Sequence, residues 1–372
     1  KMRNLRKFAL SDMQVTDWKN SEKIINSFDK LKTLILDENH FRSLPFDPGK
    51  LESLKYLDIS YNDKFNVQEN LYKLSQCNNL EELIVSGLQM KTFPDEFLNL
   101  KNLKTLAFGD YEEFNYQKGF ELLSKHSNLE YIDVGYANLN PLPTSFTKLK
   151  LKKLGIYDCN IDLNELLNIT KTWSNLEHLT LGDINLKVLP ETVKDHKNIK
   201  TIWLFDNRHL NHKKVFEQLS YLPRLEELDI SSTIRQEQHK RFVMPEELAG
   251  LKNLKRLDMT VSHNLVFDSL FDVLAQLPKL EHLNLKDSKA YVDDNYNYKV
   301  LPASIKELQN LKELNLENTS YDILKNVNEL PELEKLNWSD CGMGKIPEVI
   351  FETTSLKSLN LNDAQLKKLP EE

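Results

Sequence analysis

Residues 103–108 read LKTLAF, and the same pattern returns at residues 129–134 as LEYIDV. In each string the fourth and sixth residues are apolar, whereas the third, fifth and seventh positions vary in type. A period of two is typical of a β-strand that buries one face and leaves the other open. Each string therefore predicts a short, half-buried strand.

The string occurs fifteen times along the 372 residues. Its copies begin at Leu5, Leu31, Leu54, Leu80, Leu103, Leu129, Leu151, Leu176, Ile199, Leu225, Leu254, Leu280, Leu311, Leu333 and Leu356. The mean spacing is about 25 residues, which lies in the range of solenoid repeats. For most of the chain a long repeat of 25 or 26 residues alternates with a short one of 22 or 23. This regularity predicts one array over residues 1–372 rather than two or three separate domains.

The L-x-x-L-x-L pattern resembles the leucine-rich repeat family over essentially the whole chain. The Lys- and Asn-rich, Gly-poor composition favours a bacterial member, here one with alternating long and short repeats. The resemblance implies an α/β fold: a right-handed horseshoe solenoid of about fifteen repeats with a parallel β-sheet on its concave side. The convex side is expected to carry helices in the long repeats and short proline-led turns in the short ones. Pro94 with Phe97 exemplifies the short type, and Phe120 with Leu123 the long type.

The ninth position of a repeat is where this family places a small polar residue that bonds backbone groups. Most repeats follow the pattern, with Asn39, Asn62, Cys159, Asn207, Thr233, Ser262, Ser288, Thr319 and Cys341. Two of the three cysteines thus have a structural explanation, and no C-x-x-C motif suggests a metal or redox site. Tyr111 is one of the exceptions, and there the turn must find other hydrogen bonds.

Composition and motifs exclude several functions. Only ten residues are glycine, and neither a G-x-G-x-x-G nor a phosphate-loop string occurs. The net charge of −7 argues against a nucleic-acid partner. Hydrolase, zinc-protease and kinase signatures are missing. The sequence therefore predicts no enzyme, no cofactor, no metal site and no nucleic-acid binding.

Function is expected where the chain departs from its repeat. Three strands carry glycine at the seventh position, Gly109, Gly135 and Gly182, and Gly155 stands at a fifth position. Glycine in a strand often marks close approach by a ligand or another backbone. Aromatic and acidic residues surround these glycines and form the predicted concave partner site: Tyr111, Tyr131, Asp133, Tyr136, Tyr157, His178, Asp183, Trp203, Phe205 and Asp206.

Two alternatives accompany this interpretation. The rings simply stack on one another over a floor of glycine, or the position-eight carboxylates, Asp110, Asp158, Asp183 and Asp206, cap the turn after each strand. If the carboxylates instead face a partner, a cationic or hydrogen-bonding partner fits better than an anionic one.

A second departure is a pair of inserted loops, residues 234–242 and 290–299. They are expected to project from one edge of the sheet and to contact a partner or each other. The candidate loop residues are Arg235, Lys240, Arg241, Tyr291, Asp293, Asp294, Tyr296 and Tyr298.

The sequence thus predicts a non-catalytic scaffold that binds a protein or peptide on its concave sheet and edge loops. A glycan-binding surface protein and the sensor or docking segment of a longer protein are the alternatives. No run of residues is long and apolar enough to span a membrane, and a soluble, secreted or cell-surface bacterial protein is favoured. Both ends look cut within a repeat, which predicts a longer natural product or self-association through uncapped ends.

Overall fold

The structure is a computed structural model of the chain. It describes residues 2, 4–13, 17–111, 113–234, 241–289, 301–319, 324, 326–341 and 345–367. The chain divides into two compact units, Lys1–Leu176 and Glu177–Glu372. A single array over residues 1–372 stays a prediction, and each compact unit is described by itself.

The first compact unit contains seven parallel strands, each paired with its neighbours in chain order. The strands are β1 (Lys7–Ala9), β2 (Thr33–Ile35), β3 (Tyr56–Asp58), β4 (Glu82–Ile84), β5 (Thr105–Gly109), β6 (Tyr131–Gly135) and β7 (Lys153–Tyr157). Each begins at the third position of its repeat. The fourth-position residues pair in register, as Leu83 does with Leu106, and both are fully buried.

The second compact unit continues the pattern with eight parallel strands. They are β8 (His178–Gly182), β9 (Thr201–Trp203), β10 (Glu227–Asp229), β11 (Arg256–Asp258), β12 (His282–Asn284), β13 (Glu313–Asn315), β14 (Lys335–Asn337) and β15 (Ser358–Asn360). Consecutive parallel strands that bury the fourth and sixth positions are what the repeat predicted.

As far as β12, the connections alternate between the two types that the sequence predicted. Within the described residues, six α-helices follow the odd-numbered strands from β1 to β11: α1 (Trp18–Ile25), α2 (Val67–Leu74), α3 (Tyr116–Leu123), α4 (Leu163–Thr170), α5 (His212–Leu219) and α6 (Phe267–Leu274). The other described connections carry 3-10 helices: Pro48–Lys50, Asp95–Asn99, Thr144–Lys148, Glu191–Asp195, Glu246–Gly250, Ala303–Glu307, Val327–Glu329 and Glu348–Ile350. No helix in the described ranges is long and apolar enough to cross a membrane.

Buried polar side chains at the ninth position join successive repeats. The Asn62 amide donates to the carbonyls of Leu36, Ile59 and Ser60, and its Oδ1 accepts from the Asn39 N–H at 3.1 Å. Asn207 repeats this arrangement in the second compact unit. One amide thus satisfies buried backbone groups of two repeats, which explains the asparagine preference.

Tyr111 performs the same task with a different side chain. Its hydroxyl donates to the Val85 carbonyl at 2.7 Å, the carbonyl that corresponds to Leu36 in the neighbourhood of Asn62. Only 8% of Tyr111 is exposed. Tyr111 is therefore one of the buried residues that join successive repeats. The prediction that it belongs to the exposed aromatic residues of the concave site is wrong.

The eighth position has a left-handed backbone in every repeat. The φ angles there include +57° at Asp110, +47° at Asp158, +45° at Asp183 and +56° at Asp206. Asp and Asn tolerate this conformation better than most residues. Backbone geometry therefore accounts for aspartate at this position, with or without a partner.

Candidate functional site

Three of the strand glycines, Gly135, Gly155 and Gly182, lie beneath side chains of neighbouring repeats. A Cβ atom at Gly135 would lie 2.2 Å from the Tyr157 ring, and one at Gly182 would lie 2.3 Å from the Phe205 ring. At Gly155 the obstacle is Asp133 Oδ1, again at 2.3 Å. These three glycines are therefore not open space for a partner, because neighbouring side chains cover them.

In the first compact unit, tyrosine rings lie over glycines on the open face of the sheet. We call Tyr61, Tyr131, Asp133, Tyr136 and Tyr157 the tyrosine surface. Tyr136 and Tyr157 meet edge to face, with ring centroids 5.8 Å apart and planes at 86°. Tyr136 is 52% exposed and Tyr61 is 40% exposed. These rings combine an exposed apolar body with a polar tip, which suits a binding surface.

Tyr61 is absent from the sequence-based candidates. Its ring lies over Gly87, where a Cβ atom would approach to 2.4 Å. Tyr61 and Gly87 both occupy the eighth position of successive repeats. An aromatic residue followed by glycine at the eighth position of successive repeats was the sequence signal that pointed to Tyr61.

Asp133 is the partly buried acid of the tyrosine surface. The Tyr131 hydroxyl donates to Asp133 Oδ2 at 3.1 Å, whereas Oδ1 is buried and finds no hydrogen-bond partner among the described residues. Desolvation raises the pKa of Asp133, and the bond from Tyr131 opposes that rise. Lys153 Nζ lies 5.9 Å from the centre of the Tyr131 ring.

The second compact unit carries a different group, which we call the indole surface: His178, Trp203, Phe205, Asp206, Asp229 and Asp258. The rings of His178 and Trp203 meet edge to face with centroids 4.5 Å apart. His178 Nε2 lies 3.0 Å from Thr180 Oγ1. Trp203 is 37% exposed, although most large apolar side chains of the described chain are buried. An exposed indole that its neighbours hold in place is a candidate anchor for a partner.

Two carboxylates follow the indole on adjacent strands. Trp203 pairs in register with Asp229, and Asp229 pairs with Asp258. The Ser231 hydroxyl donates to Asp229 Oδ1 and lies 3.1 Å from Asp258 Oδ1, so the two acids are close neighbours. Burial, and then the charges of Asp258 and Asp206, raise the pKa of Asp229 to about 6, against the opposing bonds from Ser231. No described Lys, Arg or His forms an ion pair with either acid.

Asp229 and Asp258 were also missed by the sequence-based selection. Both are the fifth residue of their strings, LEELDI and LKRLDM. Acidic residues at the same exposed position of successive repeats were the available signal. Of the carboxylates that were selected, Asp206 lies 3.7 Å from Arg208, and Asp183 is only part-exposed.

Most of each inserted loop lies outside the described residues. Seven of the eight candidate loop residues are among those outside: Arg235, Lys240, Tyr291, Asp293, Asp294, Tyr296 and Tyr298. Arg241 is described and exposed. The end of the first loop is fixed at Phe242, whose N–H donates to the Asn264 carbonyl at 2.8 Å and whose ring contacts His212. The partner-contacting role of both loops stays a prediction.

The described residues contain no group of three or more His, Cys, Asp or Glu side chains suited to hold a metal ion. His212 is buried, which lowers its pKa to about 4, and its Nε2 lies 2.9 Å from Thr233 Oγ1. Burial raises the pKa of the Cys77 thiol to about 12 and that of the Cys159 thiol to about 11. Neither thiol is activated as a nucleophile.

Comparison with solved structures places this architecture among leucine-rich repeat proteins. The chain is 20% identical to a leucine-rich repeat protein of Leptospira interrogans, with a TM-score of 0.51 over 97% of this chain and 86% of that one. It is also 20% identical to a chain of the TLR13–ssRNA13 complex, with a TM-score of 0.58. That match covers 97% of this chain but 57% of the other chain. An internalin (InlF) from Listeria monocytogenes is 16% identical, with a TM-score of 0.47 over 96% and 87%.

No protein-family model matches the sequence. The fold is nevertheless that of a leucine-rich repeat protein, as the fifteen strings and the structural neighbours agree. A sequence identity near 20% shows only that the folds are alike, so the ligand of a structural neighbour is not assigned to this chain.

Proposed function

We propose that this protein is a non-catalytic recognition protein that binds a basic peptide or protein segment on the open face of its sheet. The observation that carries the proposal is the indole surface. There an exposed Trp203 pairs in register with Asp229, which pairs with Asp258, and no described cationic side chain lies within ion-pair distance of either acid.

An arginine or lysine side chain of a partner can interact with both the indole and the carboxylates of this surface. A guanidinium or ammonium group over an indole gains about 0.5–2 kcal/mol, and a carboxylate adds a charge-assisted hydrogen bond. The two acids repel each other until a cation arrives. The same charges, with a net charge of −7, oppose an anionic partner such as RNA.

The tyrosine surface supports the same class of partner in the first compact unit. Tyr61 and Tyr136 are exposed, and Tyr is enriched in protein interfaces. A secreted or cell-surface location, expected from the sequence, belongs to this proposal as well.

Selection from a random peptide library displayed on phage tests the proposal. We expect the immobilised protein to enrich arginine- or lysine-containing peptides. Trp203→Ala is expected to weaken a selected peptide about tenfold, because it removes the stacking surface. Asp229→Asn is expected to weaken it by a similar factor at pH 7.5.

Tyr221→Ala is the matched control, because Tyr221 is an exposed aromatic residue that lies outside the strands. Its affinity for the selected peptide should equal that of the unmodified protein. Selection of peptides without basic residues, or equal loss in Tyr221→Ala and Trp203→Ala, contradicts the proposal. Retention of oligosaccharides alone on a glycan array favours the glycan-binding alternative instead.

A further inference from the structure

The open face of the second compact unit carries a continuous column of Asp and Asn side chains. Each is the last residue of its strand, and all pair in register: Asp229, Asp258, Asn284, Asn315, Asn337 and Asn360. We call this set the Asx column. It begins beside Trp203, so it extends the indole surface across β10 to β15.

The side chains of the Asx column are fixed by the backbone. The Oδ1 atoms of Asn315 and Asn360 each accept the N–H two residues further on, from Glu317 and Asn362, both at 3.1 Å. Asn284 and Asn337 have the same arrangement. This leaves the Nδ2 groups as the donors that face outward or sideways.

Half of these donors are used within the protein. Asn284 Nδ2 donates to Asp258 Oδ2 at 2.7 Å, and Asn337 Nδ2 donates to Glu317 Oε2 at 3.2 Å. The Nδ2 groups of Asn315 and Asn360 make no hydrogen bond to any described residue. The two unused donors therefore lie two strands apart, on β13 and β15.

The side chains that flank the column neutralise each other. Glu313 pairs with Lys335 and lies 2.9 Å from His282 Nδ1, and Lys286 pairs with Glu317 at 2.8 Å. A groove of about 360 Å³ lies over the column from β11 to β15. The groove offers hydrogen bonds at its β13–β15 end. Its β11 end is lined by Asp258 and Arg256, and Asp229 lies beside Asp258 on the next strand, β10.

The distance between the unused donors indicates which peptide conformation could bring successive carbonyl groups opposite them. Two strand spacings amount to about 9.6 Å. A polyproline II helix repeats every three residues at about 9.3 Å, and its carbonyl groups have no internal partner. An extended β-strand repeats at about 6.6–6.8 Å, and the carbonyls of an α-helix are already bonded.

We propose that a proline-rich segment of a protein partner lies along the Asx column as a polyproline II helix. Its carbonyls i and i+3 accept from Asn315 and Asn360, and a basic side chain at its other end binds Trp203, Asp229 and Asp258. Aromatic residues are the usual support for such a helix, and here Trp203, beside the start of the column, supplies one. This inference rests on the proposed function, because it specifies the conformation of the basic peptide.

Fluorescence anisotropy with labelled twelve-residue peptides tests this inference. One peptide alternates prolines with small polar residues and ends in two arginines. A second keeps the arginines but replaces every proline by glycine or serine. We expect the first to bind at least fivefold more tightly, because its backbone is already ordered.

Asn315→Asp and Asn360→Asp remove one donor each and keep the Oδ1 that caps the strand end. Each is expected to weaken the proline-rich peptide about fivefold, the effect of one lost hydrogen bond. Asn362→Asp is the matched control: it adds the same charge to an exposed side chain outside the column. It should leave the affinity unchanged or raise it slightly. Thermal denaturation checks that all three variants fold.

The outcomes separate this inference from the proposed function. Equal affinities for the two arginine peptides, or equal behaviour of Asn315→Asp and Asn362→Asp, overturn the polyproline II assignment and leave basic-peptide recognition standing. Failure of both arginine peptides to bind overturns both. An oligosaccharide that binds and loses affinity in Asn315→Asp assigns the column to a glycan and also overturns the inference.

Discussion

The strand glycines differ in what lies above them, and this difference sets the cost of replacing each one. Gly109 has a φ of +146°, and a Cβ atom there would lie 2.0 Å from the Gly135 carbonyl oxygen. That obstacle is backbone of the next strand and cannot move aside. At Gly182 the obstacle is the Phe205 ring, a side chain that can rotate away.

Gly109→Ala is therefore expected to lower the free energy of unfolding by about 2–4 kcal/mol. Gly182→Ala should lower it by about 1 kcal/mol or less and displace Phe205, which weakens peptide binding at the indole surface. Urea denaturation followed by circular dichroism, together with peptide titration, measures both effects. A larger loss of stability in Gly182→Ala than in Gly109→Ala would show that the rings are the more rigid layer.

Asp229 links recognition to stability through its raised pKa of about 6. The folded chain binds this proton more tightly than the unfolded chain, so the stability contribution is favourable below pH 4 and is lost as the pH rises through 6. Asp229→Asn is expected to raise the free energy of unfolding by about 1–3 kcal/mol at pH 7.5 and to leave it unchanged near pH 3.5. Peptide affinity should fall in the same variant at pH 7.5. A stability gain of equal size at both pH values would contradict this account.

At the scale of the element, repeat length predicted which connection forms, except in the two repeats with inserted loops, which are longer and still carry the 3-10 helices Glu246–Gly250 and Ala303–Glu307. Long repeats have room for an eight-residue helix such as Tyr116–Leu123, and short ones for a 3-10 helix such as Thr144–Lys148. Strand positions followed from the leucine period. These features were predictable because each depends on residues within one repeat or on its exact neighbour in register.

The candidate surfaces were only partly predictable for the same reason. Glycines at Gly135 and Gly182 indicated close approach, but sequence spacing does not say which side chain leans over them. Tyr111 looked like a surface aromatic because it follows a strand, yet its hydroxyl replaces an asparagine amide. Contacts between repeats, set by side-chain direction, decide both cases.

Tyr111→Phe tests that replacement. Removing the hydroxyl leaves the Val85 carbonyl without its donor in a buried turn, and we expect the free energy of unfolding to fall by about 1–2 kcal/mol. Tyr72→Phe is the matched control, since Tyr72 is 60% exposed on α2 and should cost almost nothing. Guanidinium denaturation of both variants provides the comparison. Equal midpoints would mean that the Tyr111 hydroxyl does not join the repeats.

At the scale of the whole molecule, charge is organised in two ways. The second position of the repeats alternates Lys and Glu, and these residues form ion pairs between neighbouring repeats, including Lys104 with Glu81 at 3.0 Å and Lys312 with Glu281 at 3.0 Å. These pairs are exposed and balanced. Asp229 and Asp258, in contrast, have no described cationic partner and add to the net charge of −7.

Salt should separate the two arrangements. Exposed pairs contribute little to stability and are screened, so the urea midpoint is expected to change only slightly between about 0.05 and 0.5 M sodium chloride. Over the same interval the affinity for an arginine peptide should fall about tenfold or more, because screening weakens its attraction to partly buried acids and to the net charge. The affinity of Asp229→Asn should depend less steeply on salt. A midpoint that falls in parallel with affinity would mean that the lysine–glutamate ladder, rather than the indole surface, carries the salt dependence.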